Sequence, residues 1–144
     1  MSAEQAFDEA LAQFQQAQRA FMLGDPQPTQ LMFSQSEDVT LGNPLGPPVR
    51  GWQQVAAAAA RAAAGLRDGE ILGYETISKY VTPELGYIVW MEHAQAKVGN
   101  REDITRIDLR VTMILRPEAG GWKVIHRHAD PITTVRPIES IIQT

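Results

Sequence analysis

The chain has 144 residues, a formal net charge of −4 and no cysteine. That length suits one domain with a real core, and the missing cysteines exclude a disulfide framework, a thiol nucleophile and a cysteine-based zinc site. The acidic balance argues against nucleic acid, no apolar run approaches the roughly 18 residues of a membrane span, and the start MSAEQAFDEALAQ has no basic n-region of a secretory signal; a soluble cytoplasmic protein is expected, with neither nucleic acid nor membrane as partner.

Residues 2–23 read as a first helix. Ser2 and Gln5 have capping-box spacing, and Phe7, Leu11, Phe14, Ala17 and Phe21 form one apolar stripe. Gly24 stops it, with Pro26 just beyond. A short second helix starts at Pro28 or Thr29, because proline is tolerated in a first turn. Asp38–Leu41 reads as a short strand, the turn-rich Gly42–Pro48 as a hairpin tip, and Val49–Gly51 as its return. Trp52–Leu66 is a helix built on Ala56–Ala60 and Ala62–Ala64, thin enough to lie close on a sheet. Ile71–Val81, Leu85–Val98, Ile104–Arg116 and Trp122–Ile132 then form an antiparallel meander joined by polar turns. Ile138–Thr144 is a frayed tail or a last half-turn. Helices followed by a curled antiparallel sheet give an α+β class: a sheet wrapped around the long N-terminal helix, with a conical cavity suited to a small molecule.

Pairing register decides which side chains share that cavity, since a slip of one residue exchanges the faces. Placing Arg116 opposite Trp122 sets Thr112 against His126 and Arg110 against His128. Arg106, Asp108, Arg110, Thr112, His126, His128 and Asp130 then share one polar face. Leu109, Val111 and Met113 lie with Ile125, Arg127 and Ala129 on the helix side. The polar face reads as a buried dimer interface across a twofold axis, or as a ligand-binding surface.

The run Trp122-Lys123-Val124-Ile125-His126-Arg127-His128-Ala129-Asp130, preceded by Arg110-Val111-Thr112, resembles the last two strands of SnoaL-like proteins and of the association domain of calcium/calmodulin-dependent protein kinase II. Leu41 to Gly46 with Arg50-Gly51 resembles the hairpin after the second helix of ketosteroid isomerase. The likeness covers residues 5–132 of one domain spanning 1–144 and points to the SnoaL-like group of the nuclear transport factor 2-like superfamily. It implies a cone of three helices and a curved sheet, cystatin-like in class, usually dimeric through the outer sheet face. Members include isomerases, polyketide cyclases, dehydratases and non-catalytic association modules, so fold does not fix reaction.

Ketosteroid isomerase chemistry needs a carboxylate base, a tyrosine and a protonated aspartate. The resemblance puts Asn43 at the base, and an amide takes no proton at neutral pH. The first helix offers Phe14 and Gln18 but no tyrosine, and the inner face of the third long strand offers Leu109, Val111 and Met113 but no acid. True ketosteroid isomerase activity is therefore not expected. The arginine that the kinase association domain carries on its last strand falls at Ala129.

Two functions remain. One is a non-catalytic homodimer that holds a small apolar or acidic ligand, with Arg127 as anchor and Asn43, Trp52, Tyr87 and Met113 around it. Glu92, Glu75 or a ligand carboxylate would pair Arg127, because a buried arginine must be paired. The other is an isomerase, cyclase or dehydratase in which His126, His128 and Asp130 act as acid/base and Arg110 stabilises charge, provided that face lines the cavity. His126, His128 and Asp130 have a His-x-His pattern, but only His93 remains as a third imidazole, so no metal and no cofactor is expected. Trp52, Tyr74, Tyr87 and Trp90 are core or wall residues, and Trp122 caps the sheet edge.

Overall fold

The computed structural model describes residues 1–143. Helix α1 spans Ala3–Phe21. Its capping box forms as the spacing predicts: Gln5 N donates to Ser2 Oγ at 3.1 Å and Ser2 N donates to Gln5 Oε1 at 2.9 Å. Gly24, at φ +97°, turns the chain where an L side chain would be strained. Helix α2 is a single turn, Gln27–Gln30, with Pro28 in that first turn. Strands β1 (Thr40–Gly42) and β2 (Val49–Arg50) form the hairpin, and α3 covers Trp52–Ala64. The long strands are β3 (Leu66–Val81), β4 (Gly86–Val98), β5 (Thr105–Glu118) and β6 (Gly121–Asp130). Strand β3 starts five residues before the expected Ile71, because α3 ends at Ala64, capped by Gly65, and the chain extends at once through an irregular stretch with Asp68 at φ 53°.

One curved sheet runs in the order β2-β1-β6-β5-β4-β3. The four long strands form the expected antiparallel meander. Strand β1, however, lies parallel to β6, with Thr40 beside His126 and Gly42 beside His128, so the sheet is mixed. Three register shifts in β3, at Arg67/Glu70, Ile71/Gly73 and Thr76/Ser78, add the local twist that curls the sheet around α1.

The register between β5 and β6 differs from the expected one. Arg116 faces Lys123, not Trp122; Pro117 faces Trp122 and Leu115 faces Val124. A bulge at Ile125 then advances the pairing by one, so Ile114 faces His126, Thr112 faces His128 and Arg110 faces Asp130. Beyond the bulge the displacement from the expected pairing is two residues, an even number, and side chains return to the faces predicted for them. Before it, parity is reversed. Trp122 and Val124 therefore turn toward the helices and separate from the histidines, and Ile125, with no residue opposite, drops out of the row of Arg127 and Ala129.

The core lies between α1 and the concave face of the sheet. Phe7, Phe14, Val55, Ile88, Trp90, Val111, Met113, Leu115 and Val124 have essentially no exposed surface. Trp122 is buried too, edge-on to Phe7 with centroids 5.6 Å apart, so it packs under the helix rather than capping the sheet edge. Gly86 permits this closeness: a Cβ there would sit 2.8 Å from the Phe7 ring. Among the described residues no helix is long and apolar enough to cross a membrane.

Candidate functional site

Inside the cone, β4, β6 and α1 bring three polar side chains together. Arg127 and Glu92 meet side by side, Nη1 to Oε2 at 2.8 Å and Nη2 to Oε1 at 2.8 Å. Trp90 Nε1 donates to Glu92 Oε2 at 2.9 Å, and Gln18 Nε2 donates to Glu92 Oε1 at 3.2 Å. Tyr74 in turn donates its hydroxyl proton to Gln18 Oε1. The guanidinium also lies over the Phe14 ring, 5.4 Å from its centroid, and touches Met113 Sδ at 3.6 Å. Burial alone would raise Glu92, but the charge and hydrogen bonds of Arg127, with those of Trp90 and Gln18, hold its carboxyl below the usual range. Burial, reinforced by the Glu92 charge, pushes the Tyr74 phenol up. Arg127 thus has its partner inside the protein: Glu92, one of the two acids the sequence offered. Each oxygen of Glu92 is occupied, as a buried charge requires.

The four candidate catalytic residues lie together on the opposite, outer face. Arg110 Nε donates to Asp130 Oδ1 at 2.7 Å, and His128 Nε2 meets Asp130 Oδ2 at 2.8 Å. His126 Nδ1 pairs with Thr40 Oγ1 at 2.7 Å. Burial disfavours ionisation of Asp130, but Arg110 and His128 outweigh it and bring its carboxyl down to about 2. Partial burial, with His128 beside it, lowers His126. A second cluster on this face joins His93 Nδ1 to Asp108 Oδ1 at 2.6 Å and Arg106 Nη2 to the same oxygen at 2.6 Å. Among the described residues, no three His, Asp or Glu side chains converge as a metal-ligating set.

The hairpin supplies a third location. A cleft of about 260 Å³ opens between β1–β2 and α3, floored by Leu41, Val49 and Ala58 and edged by Pro47, Asn43 and Arg61. Asn43 Oδ1 accepts from Leu45 N at 3.0 Å, a turn bond that fixes the side chain and leaves its NH₂ unpartnered among the described residues. Arg61 is exposed and, among the described residues, makes no hydrogen bond or ion pair. The hairpin's root is held by Arg116, whose Nη1 binds Asp38 Oδ2 at 2.7 Å and whose Nε binds Glu118 Oε2 at 3.0 Å.

The predicted ligand set is therefore dispersed. Asn43 edges the hairpin cleft, Arg127 and Met113 sit in the closed interior, and Trp52 packs half-buried against the core at the start of α3. Tyr87 lies on the outer face, stacked on Tyr80 with centroids 6.1 Å apart. Two participants escaped the sequence reading. Gln18 carries no sequence signal beyond standing in the middle of a helix that has no tyrosine. Arg61 carried a signal that could have been used: it is the single charge inside an otherwise unbroken alanine run.

Residues 7–133 match a family model described as a SnoaL-like domain. No curated protein matches the chain. Among solved structures, a nuclear transport factor 2-like superfamily protein from Salmonella enterica superposes with TM-score 0.76 at 15% identity, covering 95% of this chain and 96% of that one. A candidate dehydratase of the same superfamily from Streptomyces avermitilis gives TM-score 0.74 at 16% identity, covering 92% and 98%. A candidate calcium/calmodulin-dependent protein kinase type II association domain from Thiobacillus denitrificans gives 0.68 at 17%, covering 88% and 94%. At such identities the likeness establishes the fold alone.

Proposed function

The chain belongs to the SnoaL-like domain family, and on that premise we propose that it is a non-catalytic, dimeric binding protein for a small acid with an apolar body. The observation that carries this reading is a contrast between two places. In the cone, Arg127, Glu92, Gln18, Trp90 and Tyr74 satisfy one another and leave no base free to move a proton. At the hairpin, Arg61 and the Asn43 amide border an apolar floor with their donors unspent.

The ligand class follows from the lining. A volume of about 260 Å³ is below the usual range for drug-sized ligands, so the occupant is small. Leu41, Val49 and Ala58 bury its hydrocarbon part. Arg61 and Asn43 offer N–H donors and no free carboxylate lines the cleft, so its polar end is an acceptor, best a carboxylate held by the guanidinium fork. The dimer reading draws on the outer face, which carries the exposed Tyr80–Tyr87 stack at one end of β4 and, further along the same face, the His128–Asp130–Arg110 and His93–Asp108–Arg106 clusters. Aromatic and arginine side chains around paired charges suit a twofold interface.

Native mass spectrometry with hexanoate and benzoate, against hexanol and benzyl alcohol, tests the whole. The expected result is a dimer that takes up the acids in preference to the alcohols, with Arg61→Ala and Asn43→Ala each losing the acid and keeping the dimer. Equal uptake of acids and alcohols, or acid binding that survives both substitutions, overturns the ligand assignment. A monomer at micromolar concentration overturns the dimer.

A further inference from the structure

The cleft at the hairpin has a frame held by main chain rather than by its lining. On the hairpin side, Leu41 of β1 and Val49 of β2 stand directly opposite each other in the ladder, and both border the cleft. On the helix side stand Ala58 and Arg61 of α3. Before the first turn of α3, Gly51 N donates to Val39 O at 2.8 Å and Trp52 N to Ser36 O at 3.1 Å. At its far end Gly65 O accepts from Gly99 N at 2.8 Å. Between them, Gln30 Nε2 donates to Ala56 O at 2.8 Å. With helix and hairpin both pinned, the room between them is set by side chains.

One stripe of α3 supplies its half of that room. Val55, Ala58 and Arg61 are spaced by three, which places them on one face of the helix. Val55 is fully buried in the core, Ala58 is 6% exposed and borders the cleft, and Arg61 is exposed at the cleft edge. The order along the stripe is therefore filled core, space, cation. Helical side chains lean toward the N-terminus of their helix, which carries Arg61 back over the turn of Ala58. A carboxylate held by Arg61 then sets its next carbons between Ala58 and the Leu41–Val49 pair. Alanines elsewhere in the run are explained by helix propensity alone. Ala58 differs in facing an apolar gap.

We infer that Ala58 determines the specificity of this cleft: the room its short side chain leaves is where the hydrocarbon body of the acid lies, and the residue at position 58 sets how long that body can be. The inference rests on the reading of the cleft as an acid site and not on the dimer. Each methylene buried against Ala58, Leu41 and Val49 strengthens binding about fourfold. Valine at position 58 adds two methyl groups in the same gap, so it removes room from a long acid and none from a short one.

NMR titration with propionate and hexanoate measures this as a ratio of affinities. The parent is expected to bind hexanoate more tightly than propionate. Ala58→Val is expected to reduce that ratio at least about tenfold, the loss of two buried methylenes, with propionate nearly unchanged. Adding Val49→Ala on the opposite side of the gap should restore much of the ratio. Ala64→Val, on the exposed side of α3 and outside the lining, should leave it as in the parent. Should a thermal melt show Ala58→Val unfolded, Ala58→Ser is read in its place: its hydroxyl against hydrocarbon lowers the same ratio. A parent that binds both acids, with a ratio unchanged by substitution at position 58, overturns the inference and leaves the acid site standing. Equal weakening of both acids overturns it too, since Ala58 would then only shape the fold. A parent that binds neither acid removes the acid site and this inference together.

Discussion

Arg127 and Glu92 meet with two parallel N–H···O contacts of 2.8 Å, side chains 11% and 8% exposed, at the centre of the cone. Two charges taken from water are stabilised only by each other and by Trp90, Gln18 and Phe14 around them. Removing one strands the other. Glu92→Gln and Arg127→Met are each expected to cost about 3–5 kcal/mol in urea unfolding. The pair Glu92→Leu with Arg127→Met should cost less than either alone, because it leaves no unpaired charge. Single variants as stable as the parent would remove the pair from the core's structure.

His126 on the outer face sets a pH dependence on its acid side. His126 is lowered from its ordinary 6.5 by burial and by His128 beside it. A histidine lowered on folding takes up its proton more readily in the unfolded chain. Stability is then complete above about pH 6.5 and declines as pH falls through the lowered folded value. The groups around it are His128, Thr40 and, through His128, Asp130 and Arg110. His126→Gln is expected to flatten the decline below pH 6.5 in thermal melts taken at fixed ionic strength; an unchanged slope would assign it to other groups.

Asp130 governs a more acidic window. Its carboxyl falls from an ordinary 3.8 to about 2 under the hydrogen bonds of Arg110 and His128, which overcome the opposing effect of burial. Being lowered on folding, it contributes stability above about pH 3.8 that is lost as pH falls toward about 2. In Asp130→Asn the parent's loss over that window should shrink, as read by circular dichroism during acid titration. A curve identical to the parent's would show that Asp130 is not linked to folding.

The elements and the family were legible because both depend on local pattern. The Ser2–Gln5 box, the Phe7–Phe14 stripe and the alternation Ile107-Leu109-Val111-Met113-Leu115 each follow from spacing along one segment. The bulge at Ile125 was not legible, since an extra residue in a strand leaves no mark in composition, and it parted Trp122 and Val124 from the histidines. Nor was the parallel contact of β1 with β6, because a three-residue strand carries too little pattern to name a distant partner. The site suffered most. Arg127 was read as buried and in need of an acid, but whether Glu92 or a ligand would supply it depended on geometry across three elements, which spacing cannot express.

Gly86 tests how tightly the sheet is drawn onto α1. A Cβ there would lie 2.8 Å from both Cδ2 and Cε2 of Phe7 and 3.2 Å from Tyr80 O. Phe7 cannot swing aside: it is fully buried and held edge-on by Trp122. Overpacking a close-fitted core of this kind costs about 1–3 kcal/mol. Gly86→Ala is accordingly expected to lower stability by that amount in urea unfolding. Phe7→Leu alone also costs, by loss of ring contacts, but in its background Gly86→Ala should cost less than in the parent, since the shorter side chain withdraws from the clash. Strict additivity of the two changes would show that the strain lies in the backbone at Tyr80 and not in the contact between the ring and the strand.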